Sequence, residues 1–429
     1  MDFVDIDDKT NSSSRKFIYT AVLICAVLPE YIAPVLTLAG FVVFKKRFSL
    51  TKNKVKMGDV GKVFLLFMCY SLLSSFWSAT PVFSAAVSLL WMGMLLGSFM
   101  ISNLTVREKE LNSLVFAFSL GGGIVGSIGI VQYILILLKI PGLNPFWRIF
   151  DVLIYKIMPF SITDTAHVWE SSRAASTFDN PLICATYLVL VLPIAVYGFI
   201  SGEKKHRKVC GICAILIICG IAATNSRGPA LAVIASLIVL LFLNSKKALS
   251  IAVTIIASAG VFVLAILKRD RLFEFDLEKS TDSRIKMWKA CRDLITKKPV
   301  FGYGAGCENT SAGMKDYGIN KPHAHSLYIE MTTELGFVGI IFLAVVFGFI
   351  IFDIVKLIKA GGKYTKLGIT FLSVLVGFGV ASMTEFTMQT PKELQYFMFI
   401  LGMLEAAKRL CIKENLSKSE NRETIAAGK

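Results

Sequence analysis

Long apolar runs separated by short polar breaks make up most of the chain. The runs are roughly 16 to 28 residues long, which suits helices crossing about 30 Å of hydrocarbon rather than the strands of a membrane barrel. They predict an all-α polytopic membrane protein of about twelve transmembrane helices. The predicted spans are 17–29, 31–44, 59–77, 81–101, 111–138, 181–201, 207–224, 228–243, 248–267, 326–355, 366–386 and 393–410.

Composition and charge agree with a membrane protein. Hydrophobic residues make up 55% of the chain and charged residues 18%, whereas a soluble domain carries about 25% charge. A net charge of +16 raises the question of nucleic-acid binding, but the Lys and Arg residues lie in short clusters without interleaved aromatic residues. We therefore expect the partner of this charge to be the lipid bilayer, with no nucleic acid.

The clusters of Lys and Arg alternate along the chain. They occupy every second connection and the C-terminal segment, at 45–62, 105–110, 201–208, 244–247, 356–366 and 408–418. Because cytoplasmic connections are enriched in Lys and Arg, this alternation predicts that both termini are cytoplasmic. The predicted layout is an N-terminal tail 1–16, a membrane domain 17–410 with extracytoplasmic loops at 139–180 and 268–325, and a C-terminal tail 411–429. The first span lacks a small-residue cleavage site, so we expect it to be retained.

Three outer connections carry residues that favour the start of a helix. Asn180 precedes Pro181, Ser226 precedes Pro229, and Ser326 opens the next predicted span. Convergent helix N-termini with unpaired N–H groups would attract an anion. The alternative is that each span simply needs a cap.

Three arginines in the outer connections oppose the orientation rule. Arg173, Arg227 and Arg284 lie where positive charge is normally depleted. A guanidinium group stays charged and can bind two phosphate oxygens at once, so these residues predict a phosphate or diphosphate site. Ordinary loop arginines, such as Arg284 paired with Asp282 or Asp293, are the alternative.

Two of the four histidines lie one residue apart in "KPHAHS". If this segment is extended, His323 and His325 can chelate a metal; if the helix has begun, the rings point apart and only one faces the site. Ser326 favours the helix start, and the nearby carboxylates Asp276 and Glu278 do not complete a known metal motif. We therefore predict no metal, with His325 as a general base and His323 and Ser326 in supporting positions.

Glu330 and Glu334 follow the histidines about one and two turns inside a predicted span. Carboxylates in a span favour a functional role, although a water-filled vestibule would also accommodate them. Glu330 is the candidate supporting residue of the pair. Other span interiors are nearly free of charge, which argues against an ion-coupled transporter.

Glycines and cysteines add two smaller predictions. The segment "FGYGAG" (301–306) lacks the frame of a nucleotide-binding loop and predicts a tight turn that brings main chain close to another segment. Cys210 and Cys213 form a CxxC at the start of an apolar span and are interpreted as ordinary membrane-helix cysteines. A disulfide between Cys291 and Cys307 is left open.

These motifs together resemble the O-antigen ligase and O-antigen polymerase family of bacterial polytopic membrane glycosyltransferases. The matching pieces, in order, are "TNSRGPAL", the series Arg284, Trp288, Pro299 with "FGYGAG", and "HAHSLYIEMTTELGFVG", all within residues 170–340. The stretches "RAASTFDNPLICATYL" and "SSFWSATP" are similar to upstream family features. Ser326 stands where asparagine is common in the family.

The resemblance implies a GT-C-like fold and a location in the bacterial cytoplasmic (inner) membrane, with the active site facing outside. It implies transfer of a glycan from an undecaprenyl-diphosphate-linked donor to a hydroxyl of a lipid-linked glycan or lipid A core, during lipopolysaccharide or other cell-envelope polysaccharide biosynthesis. No metal and no other cofactor is implied. In the family pattern His325 matches the residue that activates the acceptor hydroxyl, and Arg227 and Arg284 match arginines that hold the diphosphate.

Several functions stay open. An O-antigen ligase-like transfer is narrowly favoured over a repeat-unit polymerase of capsule or O-antigen. The alternatives of another class are a transporter of lipid-linked glycans or solutes, and a non-catalytic partner of an export complex. The sugar, its linkage, the acceptor and the oligomeric state do not follow from the motifs.

Overall fold

A computed structural model of the protein describes residues 8–28, 32–47, 57–138, 173–243, 277–388 and 390–427. All regular secondary structure in these ranges is helical, which confirms the predicted all-α class. The helices are α1 (Asp8–Val27), α2 (Ile32–Arg47), α3 (Asp59–Leu73), a 3₁₀ turn (Ser74–Trp77), α4 (Pro81–Leu104), α5 (Glu108–Leu137), α6 (Pro181–Ser201), α7 (Lys204–Ala223), α8 (Arg227–Leu243), α9 (Leu277–Lys297), α10 (Cys307–Lys315), α11 (Leu327–Lys359), α12 (Gly362–Ala381) and α13 (Pro391–Ala427).

Seven of the described helical segments are long and apolar enough to cross a membrane, so the chain is a multi-pass membrane protein. They are α3 with its 3₁₀ turn, α4, α5, α6, α7, α11 and α12. The predicted total of twelve spans and the orientation of the termini stay predictions. The predicted span 248–267 and most of the predicted loop 139–180 lie outside the described residues. Helix α13 continues to Ala427, well beyond the end of the predicted span at residue 410.

Small residues allow the central helices to pack closely. Helix α6 is buried along almost its whole length, and α5 and α7 lie beside it. A Cβ atom added to Gly126 of α5 would lie 2.4 Å from the carbonyl oxygen of Leu216 in α7, and one added to Gly220 would lie 2.6 Å from the Cα of Gly126. Only glycine fits this approach, which is the usual way in which helices associate closely in lipid.

Helix α11 is broken at Gly336, whose φ of 65° and ψ of −167° are not helical. The segment 299–304 lies along the break and satisfies the main-chain groups that the break frees. Four hydrogen bonds join the two segments: Tyr303 N to Thr333 O (3.1 Å), Gly304 N to Glu334 O (2.8 Å), Phe337 N to Pro299 O (2.8 Å) and Val338 N to Val300 O (3.2 Å). Buried main-chain groups in a membrane protein need such partners.

The approach of the two segments requires glycine on both sides. A Cβ added to Gly302 would lie 2.4 Å from the Glu334 carbonyl oxygen, and one added to Gly336 would lie 2.2 Å from that of Val300. Both glycines also have positive φ, which other residues rarely adopt. The prediction that "FGYGAG" brings main chain close to another segment is therefore confirmed.

The connections form two separate polar regions. The first, called the loop end, comprises residues 74–80, 173–180, 224–226, 298–326 and 382–388, and α9 and α10 pack onto it. The second, called the far end, comprises residues 105–107, 202–203, 360–361 and the part of α13 that begins at Glu405. Hydrogen bonds from Asn309 to Ser78 (2.9 Å) and from Arg173 to Thr224 (2.9 Å) hold the loop end together.

Candidate active site

His325 lies in a strained position directly before α11. Its φ of 51° is in the left-handed region, which costs a residue other than glycine about 1–2 kcal/mol. The preceding Ala324 is held on both sides: its N–H donates to Glu330 Oε2 (2.6 Å), and its carbonyl accepts from Trp288 Nε1 (2.9 Å). The N–H of His325 donates to His323 Nδ1 (3.2 Å). These contacts fix the backbone of the histidine segment.

The helix begins after both histidines, and this changes how their rings are arranged. Ser326 occupies the N-cap position of α11 as predicted, but its side chain makes no capping hydrogen bond. The first helical N–H, that of Leu327, instead donates to the carbonyl oxygens of Ser382 (2.9 Å) and Glu385 (3.1 Å). The two imidazole rings lie side by side with centroids 4.2 Å apart. The prediction that only one ring faces the site is therefore wrong.

Both rings face the carboxylate of Glu385. His325 Nδ1 lies 3.3 Å from Oε2 and His323 Nε2 lies 3.7 Å from Oε1. Burial alone would favour a neutral Glu385, but the hydrogen bond from His325, the charges of both histidines and the N–H of Phe386 outweigh it and lower the pKa of this carboxyl to about 2. Glu385 is therefore ionised at neutral pH and accepts the Nδ1–H of His325. Nε2 of His325 has no hydrogen-bond partner among the described residues.

His323 is the more deeply buried of the two histidines. Burial, with a smaller contribution from the charge of His325, lowers its pKa to about 3 even though Glu385 opposes the shift. His323 is therefore neutral at pH 7. Its Nδ1 accepts the N–H of His325, so its proton lies on Nε2 and faces Glu385.

The same three side chains can hold a metal ion. One ligand atom from each of His323, His325 and Glu385 lies within 4.8 Å of the others. Two imidazole nitrogens and a carboxylate oxygen are a ligand set that suits Zn²⁺. The carboxylates considered from the sequence, Asp276 and Glu278, are different residues. Asp276 and the side chain of Glu278 lie outside the described part of the structure.

Arg173 is bonded to the main chain of the connection that carries Arg227. Its Nε donates to the carbonyl of Thr224 (2.9 Å) and one terminal nitrogen donates to Ser226 Oγ (2.5 Å). Burial, followed by the charge of Arg284, lowers the pKa of Arg173, with Glu385 opposing and Arg227 adding to the shift. The charges of Arg284, Glu385 and Arg227 therefore all reach the guanidinium group of Arg173.

Arg227 and Arg284 are different from Arg173 because neither has an ion pair or a hydrogen bond from its side chain within the described residues. Arg227 opens α8 and is exposed, and Arg284 lies on α9 one turn before Trp288. Asp293 is paired with Arg292 (3.4 Å), so the alternative pairing of Arg284 with Asp293 is not seen. The two guanidinium groups are therefore available to an anion.

Asn180 and Ser226 illustrate two uses of a polar residue before a helix. Asn180 caps α6, because its Oδ1 accepts the N–H of Leu182 (2.8 Å). Ser226 precedes α8 but accepts from Arg173 and donates to the carbonyl of Thr224 (3.3 Å). The predicted side-chain cap is thus present at Asn180 and absent at Ser226.

Glu330 and Glu334 are fully buried, so the alternative that they face a water-filled vestibule is wrong. Glu330 Oε2 accepts the N–H of Ala324 as described above, and Glu334 Oε2 accepts the N–H of Gly306 (2.8 Å). Each carboxyl group therefore anchors one segment of the loop end.

The cysteines form no disulfide in the described part of the chain. Cys291 and Cys307 are buried free thiols, as are Cys210 and Cys213 on α7. No covalent link therefore restrains α9 against α10.

The residue that sequence reasoning missed is Glu385. It lies at the end of an apolar span, 60 positions after His325. The sequence signal for a functional role was a carboxylate between two apolar spans, followed by a connection as short as "FTMQTPKE". Its pairing with the histidines depends on tertiary structure.

A known protein family matches the region that contains most of these candidate residues. Residues 212–344 match the family model described as O-antigen ligase (Wzy_C). The match includes Arg227, Arg284 and His325, whereas Arg173 and Glu385 lie outside it. No curated protein matches the chain. The resemblance of the motifs is confirmed, because the O-antigen ligase family model matches residues 212–344 of this chain.

Proposed function

We propose that the protein is a membrane glycosyltransferase that moves a glycan from an undecaprenyl-diphosphate carrier to the hydroxyl of an acceptor. The observation that carries this proposal is the arrangement of His325. Its Nδ1 is held by an ionised carboxylate, while its Nε2 has no partner among the described residues. The charges of Glu385, Arg227 and Arg284 all act on Arg173, which is bonded to the connection before Arg227. The family match supports the same conclusion.

His325 acts as the general base. Because Glu385 accepts the Nδ1–H, the lone pair of the imidazole lies on Nε2, where it can take the proton of the acceptor hydroxyl. The hydroxyl oxygen then bonds to the anomeric carbon of the glycan as the bond from that carbon to the diphosphate oxygen breaks. Glu385 stabilises the imidazolium that forms, as the carboxylate of a catalytic triad does.

The arginines stabilise the leaving diphosphate. Arg227 and Arg284 bind its oxygens, because fixed guanidinium groups can offset charge that develops as the bond breaks. Arg173 has a different role: it holds the 224–226 connection and adds positive potential. With these cations in place, the leaving group needs no divalent metal.

A metal centre at His323, His325 and Glu385 is the competing interpretation, favoured by the spacing of their ligand atoms. It is tested with purified protein in lipid nanodiscs and an undecaprenyl-diphosphate-linked glycan. We expect transfer to continue in excess EDTA. Loss of transfer that Zn²⁺ or another divalent ion restores would show that the histidines are ligands.

The base role is tested by His325→Ala, expressed at normal membrane levels. We expect the variant to lose high-molecular-weight surface glycan. His206→Ala is the matched control, because His206 lies near the far end, where its ring stacks on Phe116 at 4.0 Å. An unchanged glycan ladder in His325→Ala cells would reject the catalytic assignment and favour a non-catalytic partner.

We favour a ligase over a polymerase, because the matched family model is described as O-antigen ligase. The two are separated by supplying the donor alone or together with lipid A core. A ligase leaves the donor alone unchanged and transfers the glycan to lipid A core. Elongation of carrier-linked glycan in the absence of lipid A core would identify a polymerase.

A further inference from the structure

Glu330 and Glu334 form a buried pair of carboxyl groups near the start of α11. The two residues are one helical turn apart on α11, both have 0% exposure, and their side chains contact each other. Neither has a Lys, Arg or His partner within ion-pair distance in the described residues. Oε1 of Glu330, Oε1 of Glu334 and Oγ1 of the adjacent Thr310 are buried without a hydrogen bond of ordinary geometry.

Two ionised carboxylates cannot both occupy such a place. Burial of an uncompensated charge is costly, and a second like charge in contact adds repulsion, so a group in this position takes up a proton. A single proton removes both problems, because one carboxyl group then becomes a hydrogen-bond donor and the other stays an acceptor. We propose that Glu330 and Glu334 share one proton and that this carboxyl pair positions the active site.

The pair connects the two segments that build the loop end. Through Oε2, Glu330 binds the N–H of Ala324, which directly precedes the strained His325, and Glu334 binds the N–H of Gly306, at the end of the glycine segment. The proton between the two Oε1 atoms closes the chain from Ala324 to Gly306. Glu330 and Glu334 are thus positioning residues for His325, an inference that rests on the proposed role of that histidine as base.

The shared proton is tested without any transfer assay. A protonated carboxyl group has a C=O stretch in the infrared spectrum that shifts in D₂O. We expect purified protein in nanodiscs to show such a band at neutral pH, and expect Glu330→Gln and Glu334→Gln each to abolish it, because the remaining carboxylate then accepts from the amide. Asp353→Asn is the control: Asp353 lies on the same helix but pairs with Lys408 at 2.7 Å, so the band should stay.

Absence of the band in the parent protein, as would follow if a bound cation neutralised two carboxylates, overturns the proposal. So does a band that survives both glutamine variants. Neither result bears on whether His325 is the base, so this inference can fail while the proposed function stands.

The positioning role is tested with Glu330→Ala and Glu330→Gln. Glutamine can still accept the Ala324 N–H and donate to Glu334, whereas alanine can do neither. We expect Glu330→Ala to lower kcat about tenfold to a hundredfold, the size of effect produced by misplacing a reacting group. Its Kd for undecaprenyl diphosphate should stay within about twofold of the parent value, because Arg227 and Arg284 are untouched. Glu330→Gln should retain most of kcat.

Binding of undecaprenyl diphosphate also shows that Glu330→Ala is folded. Equal losses of kcat in the alanine and glutamine variants, or a normal kcat in Glu330→Ala, would each contradict a positioning role.

Discussion

The loop end and the far end of the bundle treat charge in opposite ways. At the far end acids and bases pair with each other: Lys408 with Asp353 (2.7 Å) and Glu405 (2.9 Å), and Lys363 with Glu108 (2.6 Å). At the loop end Glu385 binds His325, and beside it Glu330 and Glu334 accept main-chain N–H groups. Arg227 and Arg284 pair with no acid in the described residues.

This difference separates stability from function. The charged groups at the far end already have partners within the protein. They need no ligand, so we expect them to contribute to stability and not to transfer. The unpaired guanidinium groups at the loop end gain an equivalent partner only when an anion binds, and they are therefore the proposed position of the diphosphate.

Removal of both unpaired arginines should have the largest effect. We expect Arg227→Ala with Arg284→Ala to reduce kcat/KM about a thousandfold, since losing one fixed donor to a developing charge costs about 10² to 10³. Affinity for undecaprenyl diphosphate, measured with purified protein, should fall as well. Arg292→Ala on the same helix α9 is the matched control, because Arg292 is exposed and already paired with Asp293. Equal losses of kcat/KM in the double variant and in Arg292→Ala would show that the unpaired arginines are no more important for transfer than a paired one.

Replacement of the carboxylate behind the base should have the next largest effect. Glu385→Gln keeps the shape but loses the charge that orients His325, so we expect kcat to fall about a hundredfold, within the 10² to 10⁴ that a general base contributes. KM for the donor should change little, because the arginines remain. A Glu405→Gln control removes a carboxylate at the far end. If Glu385→Gln raises the KM for the donor and retains kcat, Glu385 serves donor binding instead.

The break in α11 allows a test with two glycines of one helix. Gly336→Ala places a Cβ 2.2 Å from the Val300 carbonyl and imposes a positive φ on alanine, so we expect a loss of about 2 kcal/mol or more and less folded protein. Gly348→Ala adds a Cβ that meets nothing within 4 Å and should leave stability nearly unchanged. Thermal unfolding of the two variants in nanodiscs compares them. A normal Tm for Gly336→Ala would contradict the described backbone.

Acid should destabilise the loop end through His323 first. Its pKa is about 3 when folded, against an ordinary 6.5, so the unfolded chain binds the proton and the contribution of His323 to stability falls by about 1.4 kcal/mol per unit as the pH drops from 6.5 toward 3. The pKa of Glu385 is about 2, against 4.5, so its contribution is present above 4.5 and is lost as the pH falls through 2.

The two residues can be separated by their pH windows. We expect His323→Asn to remove this contribution, so that acidification from pH 6.5 to 4.5 lowers Tm less, or raises it more, than in the parent protein. Glu385→Gln should leave the dependence in this window unchanged. His206→Asn is the control for a histidine remote from the loop end. If His323→Asn has the same slope as the parent protein, His323 is not buried in its neutral form.

The smallest effect on transfer should come from the far end. Lys408→Met leaves Asp353 without its partner in a nearly buried position, so we expect thermal stability to fall while transfer per folded molecule stays within about twofold. Adding Asp353→Asn should recover much of the lost stability, because the stranded charge is then removed. A selective loss of transfer in Lys408→Met would show that the two ends are coupled.

Local patterns were sufficient to predict most of the described helices, although α10 and the extension of α13 were not among them. The ends of α4, α6 and α7 depend on apolar runs and on nearby Pro and Gly residues, which are visible in the sequence. The turn in "FGYGAG" was predictable for the same reason, because glycine at alternate positions indicates unusual backbone.

The arrangement of the histidines was not predictable in this way. The left-handed φ of His325 is held by Glu330 and Trp288, which lie on two different helices, and the ring meets a carboxylate 60 positions away. A rule based on helix geometry places the rings apart, whereas tertiary contacts bring them together. Long-range contacts of this kind leave no local pattern.

The break at Gly336 has a consequence for biogenesis. A span that enters lipid with unbonded main-chain groups is costly to insert, and the groups at this break are bonded by residues 299–304 and by the Tyr70 hydroxyl on the Leu335 carbonyl (2.8 Å). All these partners precede the break in the chain, so the ribosome has already made them when α11 emerges. The translocon therefore has to release this span into an assembly that is partly built, rather than into lipid alone.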